Sequence, residues 1–257
     1  YEMSASLVGS EMCIRDSMKS LMNIHTKLLA TSVLILVSAP GWSNIDVSPM
    51  SARVTPQGVT LITVISKDEG ARFIQTNVKQ VLSPATKQEN EVAESISSVE
   101  SIIVSPSKFI LAAGQTQNIR LVTISLPATE KVYRLYIESL PTKDGKAKVD
   151  TDKLKTEVGI DLVWGVVVHV PPSNPVIRLT LDSATHQIIN DGNFHLKISR
   201  VGYCTDSDND DTCRWFKTNK NLYPSQKLAL PENHQSGKIK VDYYNEYKHS
   251  SAEVMLN

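Results

Sequence analysis

Large apolar side chains recur at every second position in the stretch from Leu154 to Val170. Those in its first half are Val158, Ile160, Leu162 and Trp164. A period of two is the repeat of a β-strand, so the stretch is predicted to be one long strand that follows a charged, solvated loop. From Val166 onward it is almost wholly apolar, which predicts that its second half is covered on both faces. The apolar row in the first half must be buried by this chain, or by another chain to which the strand is lent.

The pattern elsewhere also predicts β-strands, and no stretch has the period of an amphipathic helix. In the first half of the chain the predicted strands are 45–54, 59–66, 72–82, 98–104, 118–125, 131–140 and 156–170. In the second half they are 176–181, 186–190, 194–202, 214–217, 226–230, 238–244 and 252–256. Residues 85–97, rich in Glu, Ser and Lys, are predicted to be a polar connection.

A proline-rich segment, Pro171-Pro172-Ser173-Asn174-Pro175, marks the clearest boundary in the chain. Proline cannot continue a central strand, so this segment is predicted to be a short and stiff linker. We therefore predict an all-β fold of two immunoglobulin-like β-sandwich domains, over residues 44–171 and 172–257.

Two segments at the start of the chain are not predicted to belong to the mature protein. Residues 1–17 resemble a translated sequencing adapter, so the natural start is predicted to be Met18 or Met22. Residues 18–43 have the positive start, the apolar run and the small residues of a signal peptide, with cleavage near Asn44. The apolar run is shorter than the roughly 20 residues of a membrane span, and an uncleaved anchor is the alternative.

Charge and cysteine content narrow the class of protein further. The 27 basic residues equal the 27 acidic residues in number, so no nucleic-acid partner is predicted. Stable membrane insertion is not predicted either, because no stretch after the signal peptide is apolar enough to span a membrane. Outside the adapter-like segment the cysteines are Cys204 and Cys213. After export they are predicted to form a disulfide; a redox-active pair is the alternative, but such pairs usually have CxxC spacing.

The sequence contains no recognisable catalytic or metal-binding motif. The acidic stretch 205–212 begins like a calcium loop, but Asp211 and Lys217 stand where such a loop needs glycine and glutamate. The histidines lack the spacing of metal ligands and are expected to be ordinary surface or core residues. Because no GxSxG motif or Gly-rich phosphate loop is present either, we predict no enzyme, no metal and no cofactor.

Four motifs follow one another along the mature chain. They are Ser51-Ala52-Arg53-Val54, the run from Ile102 to Val122, the run from Glu130 to Pro141, and VWGVVVHV at 163–170. In this order they resemble the periplasmic pilus chaperones of the bacterial chaperone–usher pathway. The last two motifs are more similar to the alternate class, which serves colonisation-factor-type fimbriae, than to the best-known class.

The resemblance implies two immunoglobulin-like domains joined at an angle, which hold a pilin subunit in the cleft and deliver it to an outer-membrane usher. A pilin is a sandwich without its last strand, and the chaperone lends one to fill the groove. The donor residues would be Val158, Ile160, Leu162 and Trp164. A homodimer that caps the free protein is left open.

The resemblance also assigns roles to two charged residues. Arg53 would hold the subunit's C-terminal carboxylate, for which a planar, two-pronged donor is well suited. A surface arginine on an edge strand is the alternative. Glu130 would help to fix the angle between the domains, and a solvated glutamate at a strand end is the alternative.

The chain departs from the family pattern at two places on the long strand. Val166 or Val167 stands where the best-known members have a lysine that also anchors the carboxylate. Val170 stands where they have an arginine before the boundary proline. Arg53 must therefore anchor the carboxylate with another group or more weakly, and the interdomain salt bridge is in question.

Two other functions compete with a chaperone. The first is a secreted structural or adhesive pilus subunit made of two sandwiches. It is disfavoured because residues 45–54 are predicted to be a strand rather than a free donor extension. The second is a secreted hydrolase, which is disfavoured for want of a catalytic constellation.

Overall fold

The computed structural model describes residues 45–93, 99–140, 162–205, 210–230 and 238–256. Nearly all regular structure in these ranges is β-strand. The strands, in chain order, are β1 (Ile45–Ser48), β2 (Ser51–Arg53), β3 (Val59–Ser66), β4 (Arg72–Leu82), β5 (Asn90–Ala93), β6 (Ile102–Ser105), β7 (Lys108–Leu111), β8 (Thr116–Thr123), β9 (Lys131–Leu140), β10 (Val163–Val170), β11 (Leu179–Asp182), β12 (Gln187–Asn190), β13 (Leu196–Cys204), β14 (Cys213–Leu222), β15 (Lys227–Ala229), β16 (Lys238–Asn245) and β17 (Ser250–Leu256). Within the same ranges, no helix has the length and apolar character needed to cross a bilayer.

The first sandwich is built from β1 to β10. One sheet has the order β1-β3-β8-β6, and the other has the order β2-β10-β9-β4-β5, with β7 paired to β4. Alternate residues of each strand face inward, as in β9, where Leu135 and Ile137 are fully buried and Arg134 and Tyr136 are not. The two inner faces share one hydrophobic core.

The predicted strand 45–54 is two strands in the structure, and they belong to opposite sheets. β1 pairs antiparallel with β3, whereas β2 pairs parallel with β10. Between them lies a cis peptide bond from Ser48 to Pro49. Proline has no N–H to donate to a ladder, so β1 ends there and the chain crosses to the other sheet.

β5 lies inside the segment that was predicted to be a polar connection, so that prediction was wrong for Asn90–Ala93. It pairs antiparallel with β4 at the edge of the sheet. There Glu91 accepts a hydrogen bond of 2.7 Å from the hydroxyl of Tyr136 and forms an ion pair with Arg134. A polar edge strand carries no apolar period, which is why the sequence pattern did not reveal it.

The second sandwich contains β11 to β17 in two sheets, β11-β12-β15 and β14-β13-β16-β17. Its own core includes the fully buried Ile188, Leu196 and Val241. The predicted disulfide is confirmed: Cys204 at the end of β13 is bonded to Cys213 at the start of β14. A short closed loop of this kind contributes about 2–3 kcal/mol to stability. The predicted all-β fold of two sandwiches is confirmed.

Candidate functional site

Strand β10 lies between β2 on one side and β9 on the other. On one face of its second half Val166, Val168 and Val170 are fully buried, and on the other face His169 is buried and Val167 is partly buried, so both faces are largely covered as the sequence predicts. β9 pairs with the whole of β10, from Val163 to Val170. β2 pairs only with the last part of β10, from Val167 to His169. On the β2 side, no strand among the described residues pairs with β10 before Val167.

Two of the four predicted donor residues can be placed. Leu162, just before β10, is 48% exposed, and its neighbour Val163 is 49% exposed. Trp164 is partly buried and packs against the first core, so this residue belongs at least in part to the chain's own interior. Val158 and Ile160 lie outside the described residues.

Arg53 lies at the end of β2, next to β10, but it is not a solvated surface arginine. Its Nη2 lies 2.5 Å from Oε2 of Glu246, and its Nη1 donates to the main-chain oxygen of Glu246 at 2.7 Å. The guanidinium also lies over the ring of Phe194, 5.5 Å from its centroid. Glu246 and Phe194 both belong to the second sandwich, so Arg53 reaches across the junction between the sandwiches.

Glu130, just before β9, is also at the junction, and its side chain is fully buried. One carboxylate oxygen lies 2.7 Å from Nδ1 of His195 and 3.0 Å from Nδ1 of His169. The other accepts a hydrogen bond of 2.7 Å from the main-chain N–H of His195. A carboxylate can only accept, so each of the two rings carries a proton on Nδ1. Glu130 is therefore bonded to β10 of the first sandwich and to the segment between β12 and β13 of the second.

Glu130, His195 and Glu246 are each held in the charged form by their neighbours. Burial alone would raise the pKa of Glu130, but hydrogen bonds from His169 and His195 hold it below its usual value. Burial alone would lower the pKa of His195, but Glu130 and Glu246 raise it to about 9. The close approach of the His195 ring, whose Nε2 lies 3.4 Å from Oε2, and the nearby charge of Arg53 lower the pKa of Glu246 to about 2, against the effect of burial. Opposite charges thus alternate along Glu130, His195, Glu246 and Arg53.

We call these four residues, together with His169, the junction cluster. Aromatic rings enclose it: the rings of His169 and His195 stack with centroids 4.9 Å apart, and Tyr223 stacks on His195 at 5.0 Å. Tyr223 also packs with Val81 and Val132 of the first sandwich. The cluster therefore lies within a packed contact between the two sandwiches.

Glu130, His169 and His195 also present possible metal-ligand atoms within 4.8 Å of one another. The spacing of the histidines in the sequence gave no sign of this grouping. The Nδ1 atoms of both rings already face the Glu130 carboxylate at hydrogen-bond distance. The three groups therefore point at one another, and the arrangement is that of a hydrogen-bonded ionic cluster.

Three members of the junction cluster were not foreseen from the sequence: His169, His195 and Glu246. Their positions are far apart along the chain and follow no spacing rule. One signal was present, namely the absence of the family's arginine at Val170. A buried carboxylate at Glu130 needed other partners, and the two histidines supply them.

The fold and the site define a two-sandwich binding protein of the immunoglobulin type. A family model described as the pili and flagellar-assembly chaperone, PapD N-terminal domain, matches residues 57–174. A CFA/I fimbrial subunit of Escherichia coli is 30% identical over 202 residues, which is 76% of this chain and 84% of the relative. A CS1 fimbrial subunit of the same organism is 30% identical over 201 residues, 76% of this chain and 83% of the relative.

Solved structures agree with the sequence matches. The class 5 fimbriae chaperone CfaA is 25% identical, with a TM-score of 0.72 over 83% of this chain and 99% of that one. A chain of a chaperone–tip adhesin complex of CFA/I fimbriae is also 25% identical, with a TM-score of 0.69 over the same shares.

The chain belongs to the family of pilus-assembly chaperones. The predicted chaperone role and the similarity to the colonisation-factor-type class are confirmed, and the pilus-subunit alternative is disfavoured. The family is one of chaperones and not of enzymes, and membership implies a periplasmic location.

Proposed function

We propose that this chaperone captures exported pilin subunits by lending them the strand that leads into β10. The observation that carries the proposal is the edge of β10 before Val167, which no described strand pairs on the β2 side, together with the exposed apolar side chain of Leu162. An unpaired edge offers main-chain N–H and C=O groups to another sheet, and alternate apolar side chains fill that sheet's groove. A similar protein has been solved in complex with a tip adhesin, which supports a partner of the pilus-subunit type.

The donor residues are Val158, Ile160, Leu162 and, in part, Trp164. They share the phase of Val166 and Val168, which face the first core. The donor side chains would thus lie on the same face of the strand as the chaperone's own core residues, and they would enter the groove of the subunit. Each large side chain that becomes buried contributes about 1.5–3 kcal/mol. Because Trp164 already packs on the chaperone's own core, we assign most of this gain to the three residues before it.

Arg53 is proposed to hold the C-terminal carboxylate of the subunit. Arg53 pairs with His169 near the end of β10, so the carboxylate would lie beyond the last donor residue, at the end nearest the junction. Glu130 is proposed to fix the two sandwiches relative to each other through His195. Delivery to an outer-membrane usher, and a self-capped homodimer of the free protein, follow from the family resemblance and remain proposals.

Export is proposed to proceed with cleavage of residues 18–43. The physical basis is the apolar run followed by small residues at the positions that a signal peptidase reads. N-terminal sequencing of the protein from the periplasm is expected to start at or near Asn44. A start before Leu28 would refute the cleavage.

The donor strand is tested by the double variant Ile160→Asp/Leu162→Asp. A carboxylate in the subunit's groove would be buried without a partner, whereas on a solvated strand it is tolerated. We expect the free protein to remain folded by circular dichroism and a pilin subunit to be lost from periplasmic co-purification. Arg53→Ala is expected to weaken capture without affecting the groove, and Arg120→Ala, at an exposed position of β8, is its control.

Val163→Asp is the matched control for the donor strand. Val163 is as exposed as Leu162 but lies in the other phase of the strand, with Gly159 and Asp161. It is expected to leave capture intact. Unfolding of the double variant would mean that Ile160 and Leu162 are the chain's own core, and continued capture by a folded double variant would place the binding surface elsewhere.

A further inference from the structure

The carboxylate of Glu246 lies between two cationic side chains at the junction. Its Oε2 is 2.5 Å from Nη2 of Arg53 and 3.4 Å from Nε2 of His195. Arg53 comes from the first sandwich, and His195 comes from the second. We call the space between them, which this carboxylate fills, the carboxylate site.

Both cations have hydrogen-bonding capacity that Glu246 leaves unused. The Nε of Arg53 and the Nε2 of His195 are buried and make no hydrogen bond with any residue that the structure describes. A buried N–H without an acceptor is costly, and native structures rarely keep one without a functional reason. His195 is wholly buried, and its other ring nitrogen is fixed by Glu130, so Nε2 is held in place at the carboxylate site. The site is thus prepared for an acceptor with better geometry than Glu246 provides.

Glu246 can leave the carboxylate site without disturbing the fold around it. It is the first residue of the turn between β16 and β17, and its side chain is 31% exposed. The turn is held by the side-chain oxygen of Asn245, which accepts from the N–H groups of Tyr247 and Lys248. The main-chain oxygen of Glu246 accepts from Arg53 independently of the side chain. Rotation of the Glu246 side chain towards solvent would therefore leave both Arg53 and the turn in position.

We infer that the Glu246 carboxylate is an internal stand-in for the C-terminal carboxylate of a bound subunit, and that His195 is the second cation of the anchor. This rests on the proposed function, in which Arg53 is the first cation. One carboxylate replaces another, so the exchange leaves the charge of the site unchanged. His195 takes the part that the sequence left vacant, since Val166 and Val167 offer no cation on β10.

The electrostatics of the junction cluster agree with this assignment. His195 is charged at neutral pH because Glu130 and Glu246 raise its pKa to about 9. When Glu246 turns away, the buried Glu130 still faces Nδ1 of His195 and supports the charge. Glu130 thereby acts as a positioning residue for the second cation.

The inference is tested with a small carboxylate probe. Acetyl-Ala-Ala-Ala with a free C-terminal carboxylate, and the same peptide as its C-terminal amide, are titrated into the mature chain, residues 44–257, while the His195 ring signals are followed by NMR. Glu246→Gln removes only the competing charge. It is expected to bind the free acid at least about fivefold more tightly than the unaltered chain does, with no gain for the amide. The matched control is Glu69→Gln, at an exposed turn far along the chain, which is expected to change neither affinity.

Two double variants test whether Arg53 and His195 both contribute to binding of the free acid. Arg53→Ala and His195→Gln, each combined with Glu246→Gln, are expected to abolish the gain for the free acid. Weaker or unchanged binding of the acid by Glu246→Gln, or no binding of the acid by either chain, would overturn the inference, and Glu246 would then be a fixed support for Arg53. Should His195→Gln not fold, the Glu246→Gln result decides the part of Glu246, and a shift of the His195 ring signals on addition of the free acid but not of the amide decides the part of His195. A failure here together with loss of pilin capture by Ile160→Asp/Leu162→Asp would reject the carboxylate site alone and leave the donor strand standing.

Discussion

Glu130 and His195 are a buried pair in which each keeps the other charged. Neither residue would be ionised in an apolar interior without a partner, because the cost of removing a single charge from water is large. Hydrogen bonds satisfy both carboxylate oxygens of Glu130, from the ring and the main chain of His195 and from His169. A local ionic cluster thus replaces the arginine that the family pattern places at Val170.

The pH dependence of stability follows from these groups. His195 has a pKa raised from 6.5 to about 9, so its contribution is complete below 6.5 and is lost as pH rises through about 9. Glu246 has a pKa lowered from 4.5 to about 2, so its contribution is complete above 4.5 and is lost as pH falls through about 2. The junction cluster should therefore stabilise the fold most between pH 4.5 and 6.5.

The measurement is the free energy of unfolding by denaturant between pH 5 and pH 10. The charged and titratable groups that face His195 are Glu130, Glu246, His169 and Tyr223, with Arg53 behind Glu246. His195→Gln is expected to remove most of the alkaline loss. An equal alkaline loss in this variant would assign the effect to another group.

At the scale of single elements, the place where a strand ends determines which edge of a neighbouring strand is left unpaired. β10 is covered on the β2 side only from Val167, because the chain leaves β1 at Pro49 and enters the second sheet late. The edge before Val167 is thus a consequence of where the first strand breaks. The same proline that divides the predicted strand 45–54 therefore helps to leave the proposed donor segment free to pair.

The turn before β3 depends on Gly58. This residue has a φ of +77°, and a Cβ there would lie 2.4 Å from the main-chain oxygen of Thr123. Gly58→Ala is expected to destabilise the fold by about 2 kcal/mol, because it adds left-handed strain and a backbone clash. Equilibrium denaturation measures the change.

Gly70→Ala is the matched control for Gly58→Ala. Gly70 also lies in a connection between strands, here β3 and β4, but a Cβ added there would meet nothing within 4 Å, and its φ is not in the left-handed region. We expect a change of less than about 0.5 kcal/mol. Similar losses in both variants would mean that the conformation of Gly58 is not what stabilises this turn.

At the scale of the whole molecule, contacts at the junction hold the two sandwiches together. Besides Glu130 and Arg53, the side-chain amide of Asn193 donates to the main-chain oxygens of Ala128 and Asn174, at 2.8 and 3.0 Å. The main-chain N–H of Glu130 donates to the oxygen of Asn193. The junction is therefore built from polar contacts around a few packed rings, as is common for interfaces between domains.

Glu130→Gln tests the junction as a unit. The amide removes the charge that supports His195, so we expect a loss of about 3 kcal/mol and a first sandwich that unfolds independently of the second. Calorimetry should show one transition in the unaltered chain and two in the variant. Glu69→Gln, an exposed carboxylate, should keep the single transition, and a single transition in Glu130→Gln would show that the sandwiches are held together by other contacts.

Much of the fold could be predicted from the period of apolar residues. β3, β4 and β9 have the predicted limits, 59–66, 72–82 and 131–140. These are strands with one face in a core, where burial of every second residue is strongly favoured and is therefore written into the sequence. The disulfide could also be predicted, since two cysteines in an exported chain have few alternatives.

The sequence by itself determined the two sandwiches, the apolar second half of the long strand and the disulfide, because each depends on local period or on residue type, while the resemblance to the pilus chaperones singled out Arg53 and Glu130. Only the tertiary structure decided what these two charged residues contact. His169, His195 and Glu246 reach them from β10, from the position before β13 and from the turn after β16, and no spacing along the chain encodes such a meeting. Ionic partners are chosen by distance in space and by burial, and both arise only when the two sandwiches have folded and met.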